Sequence, residues 1–426
     1  MSRVLIGCGP SAMLAAAALE DTLWLDTNPR ACAHPELPVD LGGFEDHDSA
    51  DVVGTLAGAA PEWPHQASIL VRGRRLLLPF RRRDLPLMVE PREGSRALKD
   101  WVSARMSIKA REVVGGGFEQ RSIRDWVVYR YGQAVYEQLY GGYLTRRFGP
   151  PEQVAIATAQ HHNGRKAGTW HKLGQSPQAA FDSLSARIQR QEGDLEGIEI
   201  ADGRVCTVHS EDGELSVDRV FWAGSIPELA EWLEGEIPEI LATDMQRLSC
   251  RHRVEVFLPM SGAEALPEVL HVLDDAPFFR VMPVDMGAGR LDGVACHIAV
   301  EPGDALWSAG DSRLVEDCAE ALRTLELGNA ETEGAKLRRI EHFDPRWEPG
   351  AWFPTFNRVA QALEAMGISL VGRSAAYRWM DPGQTLVHAR ELGRDPSQWH
   401  EALRVLVDPP IRQEDEGTPL TDFIRR

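Results

Sequence analysis

The first chemistry visible in this sequence belongs to small residues. Gly7-Cys8-Gly9-Pro10-Ser11-Ala12 sets two glycines two positions apart and a small residue three positions later. That is the G-x-G-x-x-G/A spacing of a dinucleotide-binding turn. Gly7 can enter a turn that a side chain would obstruct, Gly9 lets a pyrophosphate approach the main chain, and Ala12 permits close packing of a helix on a strand. The N–H groups opening that helix, Ser11 among them, offer donors and a partial positive charge to phosphate oxygens. Asp26 follows nineteen residues after Gly7, close to the spacing of an acid that binds a ribose hydroxyl. Its charge would repel a 2′-phosphate, which argues against NADP. The turn by itself fits FAD and NAD alike.

Other reactive side chains form no nucleophile or metal pattern. No G-x-S-x-G elbow is present, and Cys8, Cys32, Cys206, Cys250, Cys296 and Cys318 are scattered without a C-x-x-C pair. That usage points to a reducing compartment and away from structural zinc. His161, His162, His171 and His297 lack the spacing of metal ligands, so no metal is expected. Arg72, Arg74, Arg75, Arg81, Arg82 and Arg83 crowd one stretch of a chain whose net charge is −18. They read either as a solvated hairpin or as a lure for an anionic substrate at the mouth of the site. With that net charge nonspecific nucleic-acid binding is not expected. No run approaches the roughly 20 apolar residues of a membrane span. The chain begins on its first strand, so no signal peptide and a cytoplasmic location are expected.

The elements that would position the turn follow from apolar patterning. Arg3 to Ile6 and Thr22 to Asp26 read as strands flanking an alanine-rich helix. Residues 67 to 80 read as a hairpin around Arg72-Gly73-Arg74, and about 84 to 153 turn helical, with Ser122 suited to cap a helix running to Leu144. Residues 194 to 224 return to short strands broken by Asp202-Gly203 and Asp212-Gly213. Further strands are expected at 253–258, 294–300 and 368–371, with helices at 312–327 and from Pro382 to before Gly393. The cofactor unit is therefore discontinuous, its last strand and helix lying far along the chain from its first.

A second motif follows that late strand: Gly372-Arg373-Ser374-Ala375-Ala376-Tyr377-Arg378-Trp379-Met380-Asp381-Pro382-Gly383-Gln384. Asp381 and Pro382 suit a helix start. Together with Asp40 to Phe44, Gly73 to Phe80, Gly141 to Gly149, Ala223 to Pro227, Pro277 to Val281 and Trp352 to Pro354, it resembles the UDP-galactopyranose mutase and protoporphyrinogen oxidase-like flavoproteins. These share an FAD fold with the amine oxidases. The resemblance implies FAD as cofactor. It assigns Gly7, Gly9, Ser11, Ala12 and Asp26 to the adenosine diphosphate half, Gly42 and Gly43 to contact near the flavin, and Gly372, Arg373, Met380, Asp381 and Gln384 to the ring and ribityl chain. His47 falls where the mutases keep a histidine beside the reactive flavin nitrogen.

The chain also departs from that pattern. Asp26 stands where the family has glutamate, Asn28 to Pro38 hold no glycine, and Phe44 replaces the first histidine of the mutase loop. Of two substrate arginines, Arg280 matches one and the other falls near His171 or Lys172, while Phe353 and Met380 occupy tyrosine positions. Fewer charge-assisted hydrogen bonds would then hold a sugar diphosphate.

The expected fold is α/β. A discontinuous Rossmann-like FAD-binding domain (1–65, 180–224, 340–407) carries a helical insert (84–153) and a mixed-sheet substrate domain (66–83, 154–179, 225–339), with a tail at 408–426. The expected function is an FAD-dependent oxidoreductase passing hydride from a small polar or anionic substrate to the flavin. A redox-neutral sugar-nucleotide mutase is the alternative, and a non-catalytic flavin-binding protein the third. His47, His171 and Tyr377 are the proton-handling candidates; Arg280, Phe353, Tyr377 and Trp379 are the substrate candidates. The partner is a small molecule, not nucleic acid or membrane, with a homodimer left open.

Overall fold

Val4, Leu5 and Ile6 are all buried, as a strand covered on both faces must be. A computed structural model describes residues 2–19, 21–27, 44–45, 62–63, 67–77, 88–89, 92, 94–114, 122–158, 170–171, 188–286, 290–380 and 382–396. In it Arg3–Ile6 is the middle strand of a five-stranded parallel sheet, in the order Ile368–Leu370, Arg219–Trp222, Arg3–Ile6, Thr22–Asp26, Arg190–Glu192. Leu5 sits between Phe221 and Trp24 in register. Helix Gly9–Ala18 packs against helix Pro382–Arg394. Gly393 makes that approach possible, because a Cβ there would lie 3.0 Å from Leu19 Cδ2.

A second sheet is mixed and seven-stranded: Lys336–Pro345, Cys250–Pro259, Gly293–Val300, Arg280–Val284, Val269–Val272, Ala67–Val71, Arg74–Leu77. Its two faces differ in kind. Val254, Val256, Leu258, Cys296, Ile298 and Val281 point to one side and pack with Leu314, Cys318 and Leu322 of helix Asp311–Thr324. The alternate residues on the other side include Arg253, Glu255, Arg280 and His297, as the period-two geometry of a strand requires. A four-stranded sheet (Gly213–Ser216, Arg204–Ser210, Leu195–Ala201, Leu233–Gly235) and a three-stranded one (Phe44–Glu45, Trp170–His171, Glu62–Trp63) complete the strands among the described residues.

The helical stretch expected from Ser122 to Leu144 is broken. Ser122 does cap helix Ile123–Tyr131 through a reciprocal box with Asp125. The helix then stops at Gly132 (φ +91°), where a Cβ would come within 2.8 Å of Asp100 Cβ. After Gln133–Val135 a π-helical turn, Tyr136–Tyr140, leads into helix Gly141–Phe148. The strand Lys336–Pro345 also runs across the domain boundary expected at 339/340.

Candidate active site

The glycine turn forms at the end of the central strand. Gly7 takes φ +141° and donates its N–H to Leu25 O, while Trp24 Nε1 donates to Gly7 O at 2.9 Å. A Cβ on Gly7 would meet Ala223 Cβ at 3.0 Å, so the turn is wedged between strand ends. Gly9 has φ +87°, and Cys8, preceding the helix, gives it no side-chain cap. The first N–H groups of the helix are thus not claimed by a capping side chain. These features fit a dinucleotide pyrophosphate. At the ribose end the fit is altered. Asp26 is fully buried, and its Oδ2 accepts from Arg190 Nε at 3.1 Å and Nη2 at 2.6 Å. Arg190 also lies over Trp24, 5.2 Å from its ring centroid. This guanidinium offsets the repulsion that Asp26 alone would exert on a 2′-phosphate.

The late glycine-arginine motif arrives at the same place. Gly372 has φ +85°, and a Cβ on it would lie 3.2 Å from Ser11 Cβ and 4.0 Å from Thr385 Cγ2. It therefore sits between the first helix and the last. Arg373 Nε and Nη2 donate to Met380 O at 3.1 and 2.7 Å, closing the loop, and Nη1 reaches Asp344 Oδ1 at 3.2 Å on the mixed sheet. Arg253 Nη2 donates to the other Asp344 oxygen at 2.8 Å. Both guanidiniums flank the Phe343 ring, at 4.9 and 3.8 Å from its centroid. Burial alone would raise the Asp344 pKa, but Arg253 and Arg373 hold it below the ordinary value.

From there the polar face of the mixed sheet runs as one transverse row. Arg338, Glu255, His297, Arg280 and His271 are cross-strand neighbours in register. Arg338 Nε donates to Glu255 Oε2 at 3.0 Å, and Arg280 Nη2 donates to His297 Nδ1 at 3.1 Å. That bond needs neutral His297 with its proton on Nε2. Burial first, then Arg280 and Arg253, push the His297 pKa well down, in agreement. Glu255 would be raised by burial, yet Arg338 and Arg253 keep it below its ordinary value. Beyond Arg280 the row continues as His271 Nδ1 to Tyr143 OH at 3.0 Å and Arg147 Nη1 to Tyr143 OH at 2.8 Å. Five guanidiniums (Arg147, Arg253, Arg280, Arg338, Arg373) thus act on two carboxylates, Glu255 and Asp344.

The expected site residues distribute unevenly over this geometry. Gly7, Gly9, Ser11, Ala12, Gly372, Arg373 and Met380 gather at the junction of first helix, late loop and mixed sheet, and Gln384 lies half-buried on helix Pro382–Arg394 beside them. Trp379 is buried edge-on against Phe148, with Arg373 5.9 Å from its ring. Phe353 contacts Trp352, its ring centroid 5.5 Å away. His171 pairs in register with Phe44 and Glu62 in the three-stranded sheet. His47, Gly42, Gly43 and Asp381 lie outside the described residues. Tyr377 differs from expectation: it is buried, and its hydroxyl is engaged by the main-chain oxygens of Ser249 (2.9 Å) and Arg346. Burial raises its pKa far above the ordinary value. A phenol tied into the backbone in this way is an anchor rather than a proton carrier. Among the described residues no group of His, Cys, Asp and Glu could hold a metal ion.

Sequence reading missed Arg147, Arg253, Glu255, Arg338 and Asp344 as site residues. One signal was present. Arg253-Val254-Glu255-Val256-Phe257 alternates charge with β-branched residues, which on a strand puts all the charge on one face. Arg72, Arg74 and Arg75 are exposed on their hairpin, whose Gly73 N–H donates to Asp274 at 2.8 Å, as the solvated reading expects.

No family model matches the sequence, and no curated protein is detectably similar to it. Solved structures do match. A reduced UDP-galactopyranose mutase superposes with a TM-score of 0.72 at 13% identity, covering 95% of this chain and 98% of that one. A protein from Exiguobacterium sp. 255-15 assigned as a protoporphyrinogen oxidase gives 0.61 at 16%, covering 95% and 99%. Cyclohexylamine oxidase from Brevibacterium oxydans IH-35A gives 0.60 at 16%, covering 95% and 99%. The chain therefore has the fold shared by mutase, protoporphyrinogen oxidase and amine oxidase structures, as its sequence motifs implied.

Proposed function

We propose that this protein is an FAD-dependent oxidoreductase whose substrate is small and anionic. The observation that carries the reading is the close approach of Gly372 to Ser11, whose Cβ would lie 3.2 Å from a Cβ placed on Gly372. Two motifs hundreds of residues apart close one cradle, with Arg373 tying it to the polar face of the mixed sheet. In this reading the parallel sheet with its flanking helices is the discontinuous cofactor domain, 84–153 the helical insert and the mixed sheet the substrate domain. The boundary there falls after Pro345 rather than at 339.

Gly7, Gly9 and the open helix start would receive the pyrophosphate, Asp26 with Arg190 the ribose, and Gly372, Arg373 and Met380 the ring side. When bound, a flavin supplies the hydride acceptor that no side chain of this chain provides. The protein's own residues do the rest. Arg280 and Arg253 hold a carboxylate, phosphate or similar group by charge-assisted hydrogen bonds. Neutral His297, fixed by Arg280, presents its Nε2–H as a hydrogen-bond donor. Phe279, Phe343 and Trp379 exclude water from the chamber and strengthen these interactions.

The mutase reading stays second, favoured by the higher TM-score of the mutase. Absorption spectra and anaerobic titration separate the two. An oxidoreductase should arrive yellow and be bleached by substrate alone. A mutase should require prior reduction and then turn over sugar nucleotide without net electron flow. A colourless protein that takes up no FAD would overturn both.

A further inference from the structure

The pairing of strands Cys250–Pro259 and Lys336–Pro345 breaks just before the charged row. Arg251 lies opposite Asp344 and Arg253 opposite Ile340, so His252 alone faces Glu341, His342 and Phe343. The extra residues on one strand make a bulge. At its crest His342 has φ +49°, a left-handed conformation that a non-glycine residue keeps only where its surroundings enforce it. A hydrogen bond spans the bulge: the His342 N–H donates to His252 Nδ1 at 3.0 Å. His252 is buried, its ring centroid 4.4 Å from that of Trp307 and 5.0 Å from that of His342.

That bond fixes the state of His252. To accept at Nδ1 the ring must be neutral, with its proton on Nε2. A proton added at Nδ1 turns the acceptor into a donor that faces another donor, and the bulge loses its tie. Burial first and His342 next disfavour that proton, Glu341 favours it, and the balance holds the His252 pKa below the ordinary value. The other charges nearby are engaged. Arg339 bonds Trp307 O, Ala309 O and Asp311. Val300, the register partner of His252 on strand Gly293–Val300, is uncharged, and Glu301 beside it pairs with Arg251 at 2.9 Å. Glu228, at the start of helix Ile226–Trp232, feels the charge of His342. The bulge leads directly into the junction of the two halves. Phe343, next along the strand, lies 3.8 and 4.9 Å from the guanidiniums of Arg253 and Arg373, and Asp344 bonds both.

We propose that His252 is an acid-sensitive latch: neutral, it holds the bulge closed through the His342 N–H, and protonated, it lets the bulge open and slackens the hold of Asp344 on Arg373. The sign follows from proton binding. The closed state resists the proton and the open state takes it at the ordinary value of 6.5, so the latch is fully set above that pH and weakens as pH falls below it. It belongs to the junction itself and does not depend on what the site binds.

Hydrogen–deuterium exchange of the full chain, read by mass spectrometry and corrected for the intrinsic pH dependence of exchange, tests the latch. Between about pH 8 and about pH 5 the protection of residues 339–345 should fall roughly tenfold, and that of 372–380 should fall in step. In His252→Asn the side-chain oxygen can accept the same bond and does not titrate, so protection of 339–345 should stay nearly constant. Constant protection in the wild type, or an equal fall in His252→Asn, would overturn the proposal. A fall confined to 339–345 would overturn the link to Arg373. Should His252→Asn fail to fold, Glu341→Gln decides, because Glu341 is exposed. Without its charge His252 is harder to protonate, and the fall must move to lower pH. No shift, or a shift upward, refutes the latch.

Discussion

Replacing Asp344 by asparagine puts the junction of the two halves to a quantitative test. The Asp344 side chain is 3% exposed and that of Arg253, 2.8 Å away, is 6% exposed, so their attraction acts with little solvent. Arg373, at 3.2 Å, is 24% exposed and counts for less. The substituted amide would keep the shape and one acceptor but remove the charge, leaving Arg253 and Arg373 facing each other across Phe343 with Arg147 near. Losing an ordinary neutral hydrogen bond costs about 1 kcal/mol, whereas stranding a buried charge costs about 3–5 kcal/mol. We expect the larger figure, read from urea unfolding of cofactor-free protein at neutral pH with an unchanged m value. The double variant Arg253→Met/Asp344→Leu should recover much of the loss, since an apolar pair of similar size replaces the ions. A loss in Asp344→Asn below about 1.5 kcal/mol would refute the view that this carboxylate neutralises desolvated arginines.

Gly372→Val should lower flavin retention at least tenfold by equilibrium dialysis, because its Cβ would press on Ser11 at 3.2 Å and its φ of +85° disfavours a side chain. Gly73→Ala, at φ +69° with nothing within 4 Å, should cost about 1–2 kcal/mol of stability and leave flavin binding alone. Arg280→Met should weaken anionic ligands roughly tenfold to a hundredfold in a binding titration, the loss of one charge-assisted pair, and leave neutral ligands unchanged. Acid should destabilise the protein from the histidines first. His388 titrates near 4 when folded against 6.5 when unfolded, so the unfolded chain binds more protons in that window. Stability is complete above 6.5 and about 3 kcal/mol lower at pH 4. Glu255 and Asp344, both depressed by arginines, add their losses below their unfolded values of 4.5 and 3.8, and a denaturation series across pH checks both steps.

Local grammar carried the cofactor half of this reading. Gly7 and Gly372 announce themselves because each adopts a positive φ at a close approach, and Gly9 because its φ is positive; glycine is the residue such places demand. Helix starts at Ser122 and Pro382 were legible for the same local reasons. What failed depended on partners distant in sequence. Nothing near Gly132 reveals that Asp100 will press against it. Tyr377 lies in a flavin-type motif, yet its hydroxyl goes to Ser249 and Arg346, which only the fold brings near. The charged row is assembled from five strands, so no window of sequence contains it.

That row also explains why the site takes the form it does. A sheet with one face packed by helix Asp311–Thr324 and the other buried under Tyr143, Phe148 and the late loop could have been apolar throughout. Apolar residues would often have made it more stable, since desolvating ions costs more than their pairing returns. Arg338, Arg253 and Arg280 hold Glu255 ionised, and Arg253, Arg373 and Arg147 hold Asp344 ionised. On the proposed function, a carboxylate or phosphate would find charge-assisted hydrogen-bond donors on this face that a neutral amine or alcohol could not use.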